Sequence, residues 1–169
     1  GAHGFAGPFG HNTIDEINGY PCGCGRNGCL ETFVSGPAIA RAGQVAIDEG
    51  RSKMLAWLVG DKPVTTAMVF KAEAAGDPAA KEILEGAIRM TAIGIAGLVN
   101  TLDLEMIILG GGVAHASPDY IPRVDRKVRD YLMTVEARRD LQVVRESMPN
   151  SALFGAAANT FIETGVIEV

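Results

Sequence analysis

All three cysteines of this 169-residue chain fall in one short stretch, Cys22-Gly23-Cys24-Gly25-Arg26-Asn27-Gly28-Cys29, and His11 lies a loop's length upstream. Thiolates and an imidazole are ligands that zinc takes tetrahedrally, and three Cys with one His form a common structural set. A disulfide explains the pattern poorly. Three cysteines cannot all pair, and a bridge between Cys22 and Cys24 would be strained. Gly23, Gly25 and Gly28 can let the loop fold back on itself so that the sulfurs converge. The bland alternative is a set of reduced thiols in a glycine-rich turn.

The chain has three histidines, His3, His11 and His115. His11 is the expected fourth ligand, because Asn12, Asp15, Asn18, Gly19 and Pro21 between it and Cys22 are turn formers suited to a closing loop. His3 would need a longer loop, and His115 sits in another segment; both read better as ordinary polar residues.

Two further sites could do chemistry. Glu31 follows the last thiolate by two residues, so an ordered loop would also order its carboxylate. A carboxylate and an imidazole on one rigid loop can hydrogen-bond sugar hydroxyls; a solvent-facing glutamate at a helix start is the equally good dull reading. Gly110-Gly111-Gly112 follows the apolar run Met106-Ile107-Ile108-Leu109, and bare N–H groups in such a turn can approach a phosphate or a nucleoside. It is not a Walker motif, since no Lys-Ser or Lys-Thr follows. Nor is it the dinucleotide fingerprint, since His115 stands where a third glycine would fall. A packing turn is its alternative. No Ser-His-Asp set and no carboxylate pair suited to glycoside cleavage is evident, and no catalytic residue is assigned.

The elements that must position these residues read as an α/β alternation. Ser35 with Pro37 predicts a helix that fades near Gly50. Arg51 to Pro63 has weak signals and is left open, with Trp57 expected in the core. Thr65 or Thr66 starts a helix ending at Gly76, and Asp77-Pro78 starts a long one to about Asn100. Its apolar surface is too wide for an exposed helix, so burial on more than one side is expected, and Gly94 and Gly97 would admit a close neighbour. Met106–Leu109 reads as a buried strand and Leu141–Val144 as a second. A helix follows Pro118, and Ser151 caps a last one ending at Gly165.

Composition narrows the classes. Hydrophobic residues make up 47% and charged residues 21%, which is globular rather than disordered, and no apolar run is long enough for a membrane span. The formal charge of −5 argues against a surface built for nucleic acid. No secretory leader pattern opens the chain, so a cytoplasmic location is expected. The opening Gly-Ala-His-Gly-Phe-Ala-Gly-Pro-Phe-Gly, without a methionine, reads as an interior loop, and a fragment or processed product is expected.

Gly10-His11 followed by Cys22-Gly-Cys-Gly-Arg-Asn-Gly-Cys-Leu-Glu31 resembles the signature of the ROK family, the bacterial repressors, open reading frames and sugar kinases of the actin-like ATPase superfamily. Leu102-Asp103-Leu104-Glu105 through Gly112 is similar to that family's second nucleotide-side strand and turn, and Leu153-Phe154-Gly155-Ala156-Ala157 to its closing helix. The resemblance implies the carboxy-terminal lobe of an actin-like (ribonuclease H-like) ATPase fold over residues 1–169, with a zinc and sugar loop at about 1–35 and a nucleotide-side region at about 36–169. It implies structural zinc on His11, Cys22, Cys24 and Cys29, sugar contacts from His11 and Glu31, and ATP with Mg beside Gly110, Gly111 and Gly112. It also implies a homodimer.

Two departures stand out. Ala6-Gly7-Pro8-Phe9-Gly10-His11 has proline where members carry the sugar-binding glutamate of an Ala-Gly-Glu-x-Gly-His string, and a proline side chain accepts no hydrogen bond. The family's amino-terminal lobe, with its phosphate loop and catalytic aspartate, is absent. The resemblance thus implies part of an ATP-dependent hexose kinase that is inactive without that lobe. The alternative is the effector and dimerisation domain of a sugar-responsive repressor.

Overall fold

Short polar side chains start the helices. A computed structural model describes residues 2–3, 7–148 and 151–166. After a 3-10 turn at Phe9–His11 and the cysteine loop comes α1, Glu31–Val34. Ser35 then accepts the Ala38 N–H to open α2, Gly36–Asp48. Ser52 accepts from Leu55 to open α3, Lys53–Val59, which fills the segment whose sequence signals were weak. Thr65 accepts from Met68 to open α4, Thr66–Ala74. Each such cap satisfies an N–H that the first turn leaves without a helical partner.

Asp77 opens the 25-residue α5, Pro78–Leu102, with one oxygen on the Ala80 N–H at 2.8 Å. Its other oxygen accepts from the Ser52 hydroxyl at 2.6 Å. Both side chains are buried. The caps of α3 and α5 are therefore one hydrogen-bonded unit, and removing either partner would strand a buried polar atom, at a cost of about 1–3 kcal/mol.

Helix α5 is the axis of the core. Leu84, Ile88, Ile95 and Val99 are buried along it, with α2 and α4 packed against it together with α7, Tyr120–Val128. This meets the expectation of burial on more than one side. Ile39, Leu55, Val69, Val124, Val128 and Leu132 complete the apolar cluster, each large side chain contributing about 2 kcal/mol by leaving water. Arg123 on α7 reaches Glu73 on α4 and Glu85 on α5 at 2.8 and 2.7 Å. Of the two glycines expected to admit a neighbour, Gly94 does so: a Cβ there would lie 2.8 Å from Leu30 and 3.0 Å from Phe9, both from the loop region before α1. Gly97 faces open space.

Among the described residues the sheet has two strands, β1 at Met106–Leu109 and β2 at Gln142–Arg145. They run parallel, in register from Met106 opposite Gln142 to Leu109 opposite Arg145. The crossover holds α6 (Gly111–His115), α7, a 3-10 turn at Arg129–Tyr131 and α8 (Val135–Asp140). The final helix is α9, Ser151–Glu163.

Two expectations about burial are corrected. Trp57 is 77% exposed, because α3 turns Leu55 and Val59 inward and leaves Trp57 on its opposite side. Strand β1 is covered on one face only: Ile107 and Leu109 pack on the core, whereas Met106 and Ile108 face out, Ile108 being 63% exposed. A continuous apolar run signals two covered faces, and here one of them lies open. Among the described residues no helix is long and apolar enough to cross a membrane.

Candidate functional site

The cysteine loop is built from its backbone outward. Its legs run antiparallel, with bridges at Thr13–Cys29 and Pro21–Asn27. Leu30 donates to the Asn12 carbonyl at 2.8 Å, and Ile14 to that of Gly28 at 2.9 Å. At the tip, Cys22 N–H meets the Arg26 carbonyl at 2.7 Å and Gly25 N–H the Cys22 carbonyl at 3.0 Å. Gly28 has φ +70°, and a Cβ there would fall 1.8 Å from the Asp15 carbonyl oxygen. Only glycine fits that crossing. Of the three glycines expected to let the loop fold back, Gly25 and Gly28 take positive φ and Gly23 does not.

This backbone brings the four expected ligands together. The donor atoms of His11, Cys22, Cys24 and Cys29 all lie within 4.8 Å of one another, and among the described residues no other group converges this way. His11 Nδ1 lies 3.4 Å from Cys22 Sγ, and Cys24 Sγ lies 3.6 Å from Cys29 Sγ. Bond lengths for zinc to sulfur and nitrogen predict tetrahedral edges of about 3.5–3.8 Å, close to these two pairs, and the 4.8 Å limit on the whole set leaves about 1 Å of closure around an ion. The donor set fits zinc in chemistry.

The thiols differ in environment. The Arg26 backbone N–H, followed by its guanidinium, draws the exposed Cys24 down to about 6. Burial, followed by the contact with Cys24, pushes Cys29 up to about 11. Arg26 also holds the His11 carbonyl at 3.0 Å, closing the tip onto the upstream leg.

Glu31, first residue of α1, reaches the same place: its Oε2 lies 3.7 Å from His11 Nδ1, and Gly10 packs against its Cβ. Both side chains are partly exposed. With Nδ1 turned toward the sulfurs, His11 keeps Nε2 for another partner.

Gly110, Gly111 and Gly112 lie elsewhere, where β1 ends and α6 begins. Gly112, with Val113, His115 and Ala116, borders an open cavity of about 580 Å³ whose other wall is Gly36, Thr65, Thr66 and Ala67. Sequence reasoning missed the side chain that organises this turn. Glu146 follows β2 and accepts from Gly111 N–H at 2.9 Å, from His115 Nε2 at 2.7 Å and from the Ser151 hydroxyl. These donors, Ser151 foremost, then Gly111 and His115, hold its carboxyl at about 2. Ser151, the first residue of α9, gives its hydroxyl to Glu146. The signal available was indirect: two strands joined by a helical crossover run parallel, so their following residues are neighbours.

The model of the ROK family matches residues 1–160. The chain belongs to the ROK family. A glucokinase from Halalkalibacterium halodurans is 34% identical over 134 residues, 79% of this chain and 41% of that protein. The ROK family glucokinase of Streptomyces griseus, solved with glucose and AMPPNP, superposes with a TM-score of 0.77 at 28% identity, over 92% of this chain and 51% of that one. A ROK family transcriptional regulator, homologous to the E. coli MLC protein, gives 0.75 at 29% identity, over 90% and 37%. The ROK chain therefore carries part of an actin-like ATPase fold with α/β content, and spans about half or less of these relatives' lengths.

Proposed function

We propose that residues 1–169 are the carboxy-terminal lobe of an ATP-dependent hexose kinase of the ROK family. The observation that carries this reading is the placement of Glu31 3.7 Å from a histidine that also belongs to the four-donor cluster. One loop thereby presents a carboxylate and an imidazole side by side. Glu31 would accept hydrogen bonds from two vicinal hydroxyls, and His11 would add a third contact through Nε2. His11, Cys22, Cys24 and Cys29 would hold a zinc whose contribution is to order this loop. The Pro8 side chain offers no acceptor, so side-chain recognition of hydroxyls in this lobe would fall to His11 and Glu31.

The cavity between Gly112 and Thr65–Thr66 suits the nucleoside of ATP, with Gly112 in its wall and Gly110 and Gly111 leading into it from β1. Magnesium would accompany the phosphates. No residue of this chain is assigned to the chemical step: the base for the attacking hydroxyl and the phosphate cradle would come from an amino-terminal lobe, which would also cover the open face of β1. The complete protein would work as a soluble cytoplasmic homodimer.

The fold likeness to a transcriptional regulator defines the test. The complete protein, assayed with ATP and a panel of hexoses, should transfer phosphate to at least one of them. Glu31→Gln should raise KM for that sugar about tenfold, the loss expected for one charged contact. Sugar binding without phosphate transfer to any hexose would favour an effector domain instead.

A further inference from the structure

Glu146 has a role that the glycine turn itself does not reveal. Its side chain is only 12% exposed, yet it carries a full charge and is satisfied by three donors from two elements, Gly111 and His115 of α6 and Ser151 of α9. Gly111 is the first residue of α6, and that helix lacks a side-chain cap of its own. Glu146 supplies the missing acceptor from across the sheet. The register explains its reach: Arg145 pairs with Leu109, and the Glu146 N–H bonds the Leu109 carbonyl at 2.9 Å, so Glu146 stands beside Gly110. A Cβ on Gly110 would come within 2.5 Å of the Glu146 carboxyl carbon and of one of its oxygens. A side chain at Gly110 would have to push the Glu146 carboxylate from its present place. His115, tied to the same carboxylate, lines the cavity next to Gly112.

We propose that Glu146 is a positioning residue for the nucleoside, setting the Gly110–Gly112 turn and His115 as one prearranged wall of the cavity. The same carboxylate already occupies the Gly111 N–H and places negative charge there. The turn therefore receives the uncharged nucleoside, and the phosphates lie away from it.

This inference rests on the kinase reading, and the test separates the two. In the complete protein, Glu146→Ala should raise KM for ATP about tenfold while KM for the sugar stays within about twofold. Glu146→Gln keeps an acceptor for Gly111 N–H at nearly the same volume, and should fall between wild type and Glu146→Ala. Gly110→Ala should also raise KM for ATP, and combining it with Glu146→Ala should add little, because the carboxylate that the new methyl meets is gone. Wild-type affinity for ATP in both Glu146 variants, with only thermal stability lowered, would overturn the positioning role and leave the kinase reading intact. A wild-type protein that binds no adenine nucleotide would overturn both.

Discussion

The cysteine loop and the glycine turn are both short and glycine-rich, but they are held in shape by different means. In the loop, backbone bridges bring four soft or borderline donors to within 4.8 Å of one another. In the turn, the chain supplies its own centre: Glu146 takes the donors of Gly111, His115 and Ser151. Three thiols and an imidazole drawn together are a set that zinc takes, whereas donors closed by an internal carboxylate are complete. The first should depend on metal, the second on the ionisation of one glutamate.

The largest effect should come from attacking the loop's donors. Cys24→Ser should release bound zinc and lower the melting temperature by about 10 °C, measured by calorimetry, since structural zinc contributes folding energy directly. Hydrogen exchange would sharpen the contrast: a chelator should expose amides of residues 11–30 while those of β1 and the glycine turn keep their protection. Gly28→Ala attacks the loop's backbone instead. With its Cβ 1.8 Å from the Asp15 oxygen and φ at +70°, it should cost about 3 kcal/mol in urea unfolding, even with zinc in excess.

A smaller effect should be confined to the turn and appear in acid. Glu146 has a folded pKa of about 2, below its ordinary 4.5. A group depressed in this way stabilises the fold fully above 4.5, and that stability fades as pH falls toward 2. Carboxyl NMR of Glu146 should show a midpoint near 2, and Glu146→Gln should flatten this part of the acid-stability profile.

The two regions also differ in how far the sequence revealed them. The loop's ligands were legible because three of the four lie within eight positions and their chemistry is nearly exclusive to metals. The turn was visible as three glycines, but its partner lay 35 residues beyond Gly111, reachable only through the pairing of β1 with β2. The helix starts at Ser35, Thr65 and Asp77 could be read because a cap is a local signal. The Ser52–Asp77 link, the exposure of Trp57 and the open face of β1 could not, because each depends on which element packs where. Residue type alone suggested burial for Trp57 and for β1, and neighbours decided otherwise.

The account turns on whether the loop is a metal clamp that presents His11 and Glu31, and the metal content of the purified chain tests this most directly. Elemental analysis should find one zinc per chain, retained on dialysis and lost from Cys24→Ser. A folded chain without zinc, with unchanged stability after chelation and zinc repletion, would contradict it.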